Sequence, residues 1–329
     1  MRPERHQAGP IAGLILSLLF GAALVATVCS DLYFVRISPD QPLPVTVRIP
    51  SVGVYQDTIT RGASYRLAHV RQERGKKLDP QKARMIQAYE ELRRPPSLAL
   101  LFGLGAASFL VFLLLSSYLR LEGGPLLLLR TQVVLLAGLL LIAVAGKLLL
   151  LLSSWSAFWI PLPALVIATA RNLGQRVGGA VGLAGAFALS LLTPSDLGLL
   201  RILTGQGLVL SALVRPHGSW RSAVVATAAA SIVGLLGYAT FSLLQEQYVY
   251  LGQLAGGSWT IAALLRADVA AAFGGPLASL IIAFVASPAL QRTLGRVSSG
   301  RLSRLANFER PLLKRLASKA PGTWSHSLN

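Results

Sequence analysis

The chain has 329 residues, 53% of them hydrophobic and 13% charged, with a mean hydropathy of +0.59. A soluble domain carries roughly twice that charged fraction, and several apolar runs are long enough to cross a bilayer as helices. A soluble globular protein is therefore excluded, and the composition predicts an all-α polytopic membrane protein. The formal net charge of +18 suits cytoplasmic loops beside anionic lipid. No aromatic single-strand platform or DNA-reading motif accompanies it, so nucleic acid is not an expected partner.

Residues 1–10 carry Arg2, Arg5 and His6 ahead of an apolar run over 11–28. The run is long for a signal-peptide core and lacks a small-x-small cleavage site. It predicts an uncleaved anchor within 11–33, its amino end cytoplasmic. Cys29 is the only cysteine, which excludes an internal disulfide scaffold or thiolate zinc cluster. Val28 is too bulky for the residue before a lipoprotein cleavage site, so Cys29 reads as a packing residue.

Residues 34–96 are polar, with Pro39, Pro42 and Pro44 near the start and Pro95 and Pro96 at the end. Residues 45–49 alternate and β-branch like a short strand. Over 79–94 a helix is expected: Asp79 caps, Pro80 fits the first turn, and Ala83, Ile86, Tyr89 and Leu92 recur at helical spacing. By position this is a small extracytoplasmic α+β segment, too short to bury a generous core alone.

Seven further apolar segments follow within 97–290, at about 98–119, 133–152, 158–170, 177–192, 197–214, 223–244 and 263–290. The third and fourth are short for a perpendicular span. With the anchor they predict eight crossings and cytoplasmic termini. The charges follow that count: Arg120, Arg130, Arg171, Arg176, Arg215 and Arg221 fall in inner loops, whereas 153–156, 193–196 and 245–259 hold no Lys or Arg. This is the positive-inside pattern of a multi-pass helical membrane protein. The basic residues Arg71, Arg74, Lys76, Lys77, Lys82 and Arg84 depart from it, in a segment long enough to be translocated regardless.

Lys147, Arg201, Arg266 and Asp268 lie in or near apolar helices, where charge marks a transport path or a structural pair. Lys147 and Arg201 are placed toward the outer helix ends, where long side chains snorkel, and Arg266 and Asp268 are spaced to neutralise each other. Gly174, Gly178 and Gly182 repeat every fourth residue, a close-packing signal that serves a rigid bundle or a homodimer. Gly103-Leu104-Gly105 lies inside an apolar run with no preceding strand, so it is not a dinucleotide turn. His69 and His217 are isolated loop histidines, and no Ser-His-Asp set or HExxH spacing occurs.

Residues 291–329 form a basic, amphipathic cytoplasmic connector. Pro311-Leu312-Leu313 opens a helix continued by Lys314-Arg315-Leu316-Ala317. Ala320-Pro321-Gly322-Thr323 breaks it, and Thr323 caps a new helix that places His326 in its first turn. Arg310, Lys314 and Arg315 are expected to lie on anionic lipid, each worth about 1 kcal/mol near the surface.

The run 305–328, with Glu309-Arg310-Pro311-Leu312-Leu313-Lys314-Arg315-Leu316 and Ala320-Pro321-Gly322-Thr323-Trp324-Ser325-His326-Ser327, resembles the lead-in to the cytoplasmic domain of the seven-transmembrane HD phosphohydrolase family. In that family an anchor helix, an extracytoplasmic domain and a seven-helix bundle precede this run. The resemblance implies a metal-dependent phosphodiesterase that linearises a cyclic dinucleotide, most often cyclic di-AMP. It implies two divalent ions, iron or manganese, activating a water, with His326 as the first metal ligand. The family's later ligands have no counterpart in residues 1–329, so this chain alone is expected to bind no metal and to lack a catalytic residue. The extracytoplasmic segment is also shorter than the family's usual domain. Two rival readings are a small-solute or lipid transporter using Lys147 and Arg201, and a non-catalytic membrane receptor or scaffold.

Overall fold

The computed structural model describes residues 10–34, 47–49, 54–56, 64–66, 70–72, 98–122, 129–153, 155–192, 197–216, 218–250, 267–294 and 318–319. Within them each of the eight apolar segments forms a helix: α1 (Pro10–Phe34), α2 (Leu98–Glu122), α3 (Leu129–Leu152), α4 (Leu162–Leu173), α5 (Gln175–Ser190), α6 (Leu197–Leu213), α7 (Trp220–Tyr250) and α8 (Ala267–Thr293). The chain divides into two compact units, Met1–Ser287 and Pro288–Asn329. The division falls inside α8, at a proline whose missing amide interrupts the helical hydrogen-bond ladder.

Among the described residues five helices are long and apolar enough to cross a membrane: α1, α2, α3, α7 and α8. The other three have 12, 16 and 17 residues. At 1.5 Å per residue they rise roughly 18, 24 and 26 Å, short of the ~30 Å hydrocarbon layer. Helix length therefore supports a multi-pass bundle with five full-length spans, and the expected eight crossings do not follow from it.

Between α1 and α2 lie four three-residue strands, β1 (Val47–Ile49), β2 (Val54–Gln56), β3 (Ser64–Arg66) and β4 (Val70–Gln72). β1 pairs antiparallel with β4, and β2 with β3. Residues 47–49 of the expected strand thus form β1. Two such ladders fall well short of the hydrophobic layer an independent α+β unit needs, and the helix expected over 79–94 lies outside the described residues.

Prolines and one glycine set the short helices. Ser153–Pro161 contains a 3₁₀ turn at Ala157–Trp159, where the Ser156 hydroxyl accepts from the Phe158 N–H. α4 then starts in a buried place, since Ile160 and Leu162 are enclosed. Pro163 in its first turn has no amide to leave unsatisfied, and the Ala164 N–H reaches the Pro161 carbonyl at 3.2 Å. Gly174, at φ +112°, is at once the C-cap of α4 and the residue before α5. That backbone region strains any residue with a Cβ, so glycine permits two helices to meet through one residue. The periodic reading of Gly174 as a packing position is corrected: a Cβ there would meet nothing within 4 Å.

Gly178 and Gly182 do pack as expected. A Cβ at Gly178 would stand 2.6 Å from the Ala170 Cβ, and one at Gly182 would stand 3.2 Å from Val166 and 3.4 Å from the Gly207 Cα. The seam continues antiparallel through Gly205 against Val233 and Gly237 against Ile202. On the other flank Gly21 of α1 meets the Phe109 backbone of α2 at 3.2 Å. Small residues bring helices close enough for dispersion to hold them where lipid supplies no hydrophobic drive. α4 sits inside this arrangement, with Leu162, Ala164, Val166, Ile167, Ala168 and Ala170 all buried. Phe102, Leu114, Leu141, Val225, Ile281 and Val285 are exposed, an apolar outer surface that suits lipid and not water.

One interhelical bond ties three helices. Pro276 lies within α8 and cannot donate to the Ala272 carbonyl four residues back. Gln206 of α6, only 2% exposed, supplies the missing donor: its Nε2 reaches that carbonyl at 3.0 Å. The amide passes α7 at Gly234, where a Cβ would overlap both the Gln206 amide and the Ala272 oxygen.

This arrangement predicts a coupled pair. Gln206→Leu is expected to cost about 1–2 kcal/mol, read by unfolding in mixed micelles. With Pro276→Ala, which restores the helix's own donor, the same substitution should cost less than about 0.5 kcal/mol. Equal costs in both backgrounds would refute the coupling.

Candidate functional site

Lys147 lies in the last part of α3 (Leu129–Leu152), yet it is turned away from the helix end. It is 6% exposed, and its Nζ donates to the Val28 carbonyl of α1 at 3.0 Å. Snorkelling is thereby corrected: the ammonium is turned inward and ties two parallel helices. Cys29, the next residue of α1, is buried as expected of a packing residue. Arg201 by contrast is exposed on α6. Lys147 and Arg201 thus have opposite environments, one enclosed between α1 and α3 and one on the surface. Asp268 is partly buried in the first turn of α8, and Arg266 lies outside the described residues.

The described arginines of the predicted inner loops lie at or beside helix ends. Arg120 ends α2, and its guanidinium lies over Gly13 of α1, beside the Ser116 hydroxyl. Arg171 ends α4, Arg176 begins α5, Arg215 follows α6 and Arg221 begins α7. Gln175 fastens this end: its Nε2 donates to the Ala212 and Val214 carbonyls at the close of α6, at 2.8 and 3.2 Å. These are the carbonyls a helix terminus leaves without intrahelical partners.

Arg171 has the most defined surroundings. Its guanidinium carbon stands 4.2 Å from the Trp220 ring centroid, within cation–π range. Trp220 in turn stacks on Phe284 of α8, 4.8 Å between centroids. The neighbouring Asn172 is buried, and its Nδ2 donates to the Ala168 carbonyl at 2.8 Å and to the Ser287 hydroxyl at 2.9 Å. α4, α7 and α8 are thereby pinned around one arginine. Arg171 Nη1 is enclosed and has no hydrogen-bond partner, and among the described residues no carboxylate pairs with this side chain. The sequence explains why: no Asp or Glu occurs over 123–195 or 197–245. Chemically the arrangement presents a fixed, planar, uncompensated cation, suited to an anionic oxygen.

Sequence reasoning placed Arg171 in an inner loop as one of several positive charges and missed Trp220 as its partner. A Trp at the first position of a helix whose preceding turn holds Pro216 and Gly218 was the available signal, since interfacial tryptophans favour such ends. His326, Arg310, Lys314 and Arg315 lie outside the described residues, as do His69 and His217. Of the connector, Ser318 and Lys319 are described, helical and exposed. Among the described residues no three His, Cys, Asp or Glu side chains come together to hold a metal ion.

Comparisons with known protein families, curated proteins and solved structures returned no match to this chain.

If Lys147 is a structural tie, Lys147→Ala should lower the thermal midpoint of the purified protein by the equivalent of about 1–2 kcal/mol. Arg201→Ala, at a surface position, should leave the midpoint in place. An unchanged midpoint for Lys147→Ala would remove the structural assignment.

Proposed function

We propose that this chain is the membrane and sensory portion of a metal-dependent HD phosphohydrolase of the bacterial inner membrane. Its anchor and seven-helix bundle, with both termini cytoplasmic, pass a signal through residues 291–329 to a domain that hydrolyses a cyclic dinucleotide such as cyclic di-AMP. The observation that carries this reading is the run ending Pro321-Gly322-Thr323-Trp324-Ser325-His326, whose sequence predicts a capped helix start bearing an imidazole just past a basic amphipathic stretch.

Two structural facts favour it over transport. The enclosed ammonium of Lys147 is engaged with a main-chain carbonyl between α1 and α3, as a fixed tie and not a substrate site. α4 is surrounded by glycine-mediated contacts that hold its neighbours at close range, the construction of a rigid transmitting bundle. The small extracytoplasmic segment and the connector are then the two ends of the transmitted signal. His326 is the first metal ligand, completed by ligands from a following domain.

The test reads the coding sequence past codon 329 and assays the product with manganese and cyclic di-AMP. Hydrolysis that is lost on His326→Ala is the expected result. A product without a downstream His-Asp pair would sink the proposal. In the active product, replacing Arg310, Lys314 and Arg315 together by Gln should change the rate in membranes at least about twofold, as loss of roughly 1 kcal/mol per charge at the lipid surface implies. Unchanged rates would remove the connector's role.

A further inference from the structure

We infer that Arg171 and Trp220 form a binding site for the phosphate of an anionic phospholipid, at the end of the bundle where α4, α7 and α8 meet. The first support is electrostatic. Arg171 is stacked on Trp220 at 4.2 Å and has an enclosed Nη1 without a partner, and Arg176, Arg215 and Arg221 lie at or beside the ends of α5, α6 and α7. The long stretches around these helices carry Asp196 as their sole acid between residues 123 and 245. A partly buried guanidinium with no carboxylate partner among the described residues carries a desolvation cost, and a bound phosphate monoanion relieves that cost by presenting oxygens to its fork.

The second support is geometric. Trp220 links Arg171 to Phe284 through the 4.8 Å ring contact, and Phe284 is 60% exposed on the outer surface of α8. Ile281 and Val285 flank it, and Val224 and Val225 of α7 are exposed too. The cation at the end of the enclosed helix α4 is therefore joined by an aromatic pair to an apolar wall facing lipid. A phospholipid fits both parts, with its headgroup phosphate on Arg171 and its acyl chains along Phe284 and Ile281. Free phosphate fits only the first. Basic sites between transmembrane helices bind anionic headgroups in this manner.

The site is assigned without drawing on Arg310, Lys314 and Arg315, and it holds whether or not the phosphohydrolase reading does. Arg171 binds the phosphate, Trp220 orients the guanidinium plane, and the Asn172–Ser287 bond at 2.9 Å holds α4 against α8 so that the site persists without ligand.

The experiment is native mass spectrometry of the full chain, released from nanodiscs of equal phosphatidylglycerol and phosphatidylcholine. The wild-type chain should retain phosphatidylglycerol in preference, and 10 mM-scale inorganic phosphate (on the order of physiological phosphate) should not displace it. Arg171→Gln should lower retention about tenfold and Arg221→Gln about twofold, since a geometrically fixed charge contributes more than a surface one. Equal retention of the two lipids, or equal losses for the two variants, would overturn the site. Displacement by inorganic phosphate would overturn the lipid as its occupant. Should Arg171→Gln not yield folded protein by helical circular dichroism, Arg171→Lys decides. It keeps the charge but loses the planar fork, and retention should fall about threefold; wild-type retention by Arg171→Lys would refute the assigned geometry.

Discussion

The bundle depends on a rule of the lipid interior: every backbone carbonyl must find a donor, because no water reaches it. Pro276 breaks that rule at Ala272, and Gln206 restores it from another helix at 3.0 Å. The repair fixes much else. The amide can cross α7 only where residue 234 has no side chain, so α6, α7 and α8 are held in one register. In the same stretch of α8, Gly275 lets the Phe158 carbonyl approach its backbone, which places the aromatic turn before α4. Phe158 then meets Tyr238 of α7 edge-on at 6.0 Å. The entry of α4 into the bundle thus follows from how α8 is satisfied.

The charged residues divide by the same logic of desolvation. Lys147 is buried and Arg171 partly so, and their solutions differ. Lys147 uses a main-chain carbonyl of α1, so its charge becomes part of the scaffold. Arg171 uses the face of Trp220, which leaves part of its donor fork uncommitted. A ring quadrupole steadies a cation without supplying the lone pairs its N–H groups would take. That difference separates a structural charge from one able to engage an outside anion.

The sequence made the helices legible because apolar runs and their breakers act locally. Pro161, Pro163, Gly174 and the Pro216–Gly218 pair end or start helices where hydropathy indicated. Gly178 and Gly182 were readable too, since residues at i and i+4 share a face whatever surrounds them. Gly174 was misread because spacing carries no information on φ. Lys147 was misread because its acceptor is 119 positions away and has no side-chain signature. Gln206 passed unnoticed as one polar residue in an apolar run, although Pro276 announced a carbonyl in need of a donor. Helix length supports fewer full spans than hydropathy for a related reason: hydropathy marks a segment as apolar whatever its length, and α4, with 12 residues, is buried among its neighbours.

The Gln206–Ala272 bond also constrains the order of assembly. α8 leaves the ribosome after α6 and α7, and until it docks its interrupted ladder exposes a bare oxygen to hydrocarbon. α8 is therefore matched only once α6 and α7 are in place to receive it. A chain permuted so that α8 emerged before α6 would carry the same residues but would meet the bilayer with that oxygen unmatched.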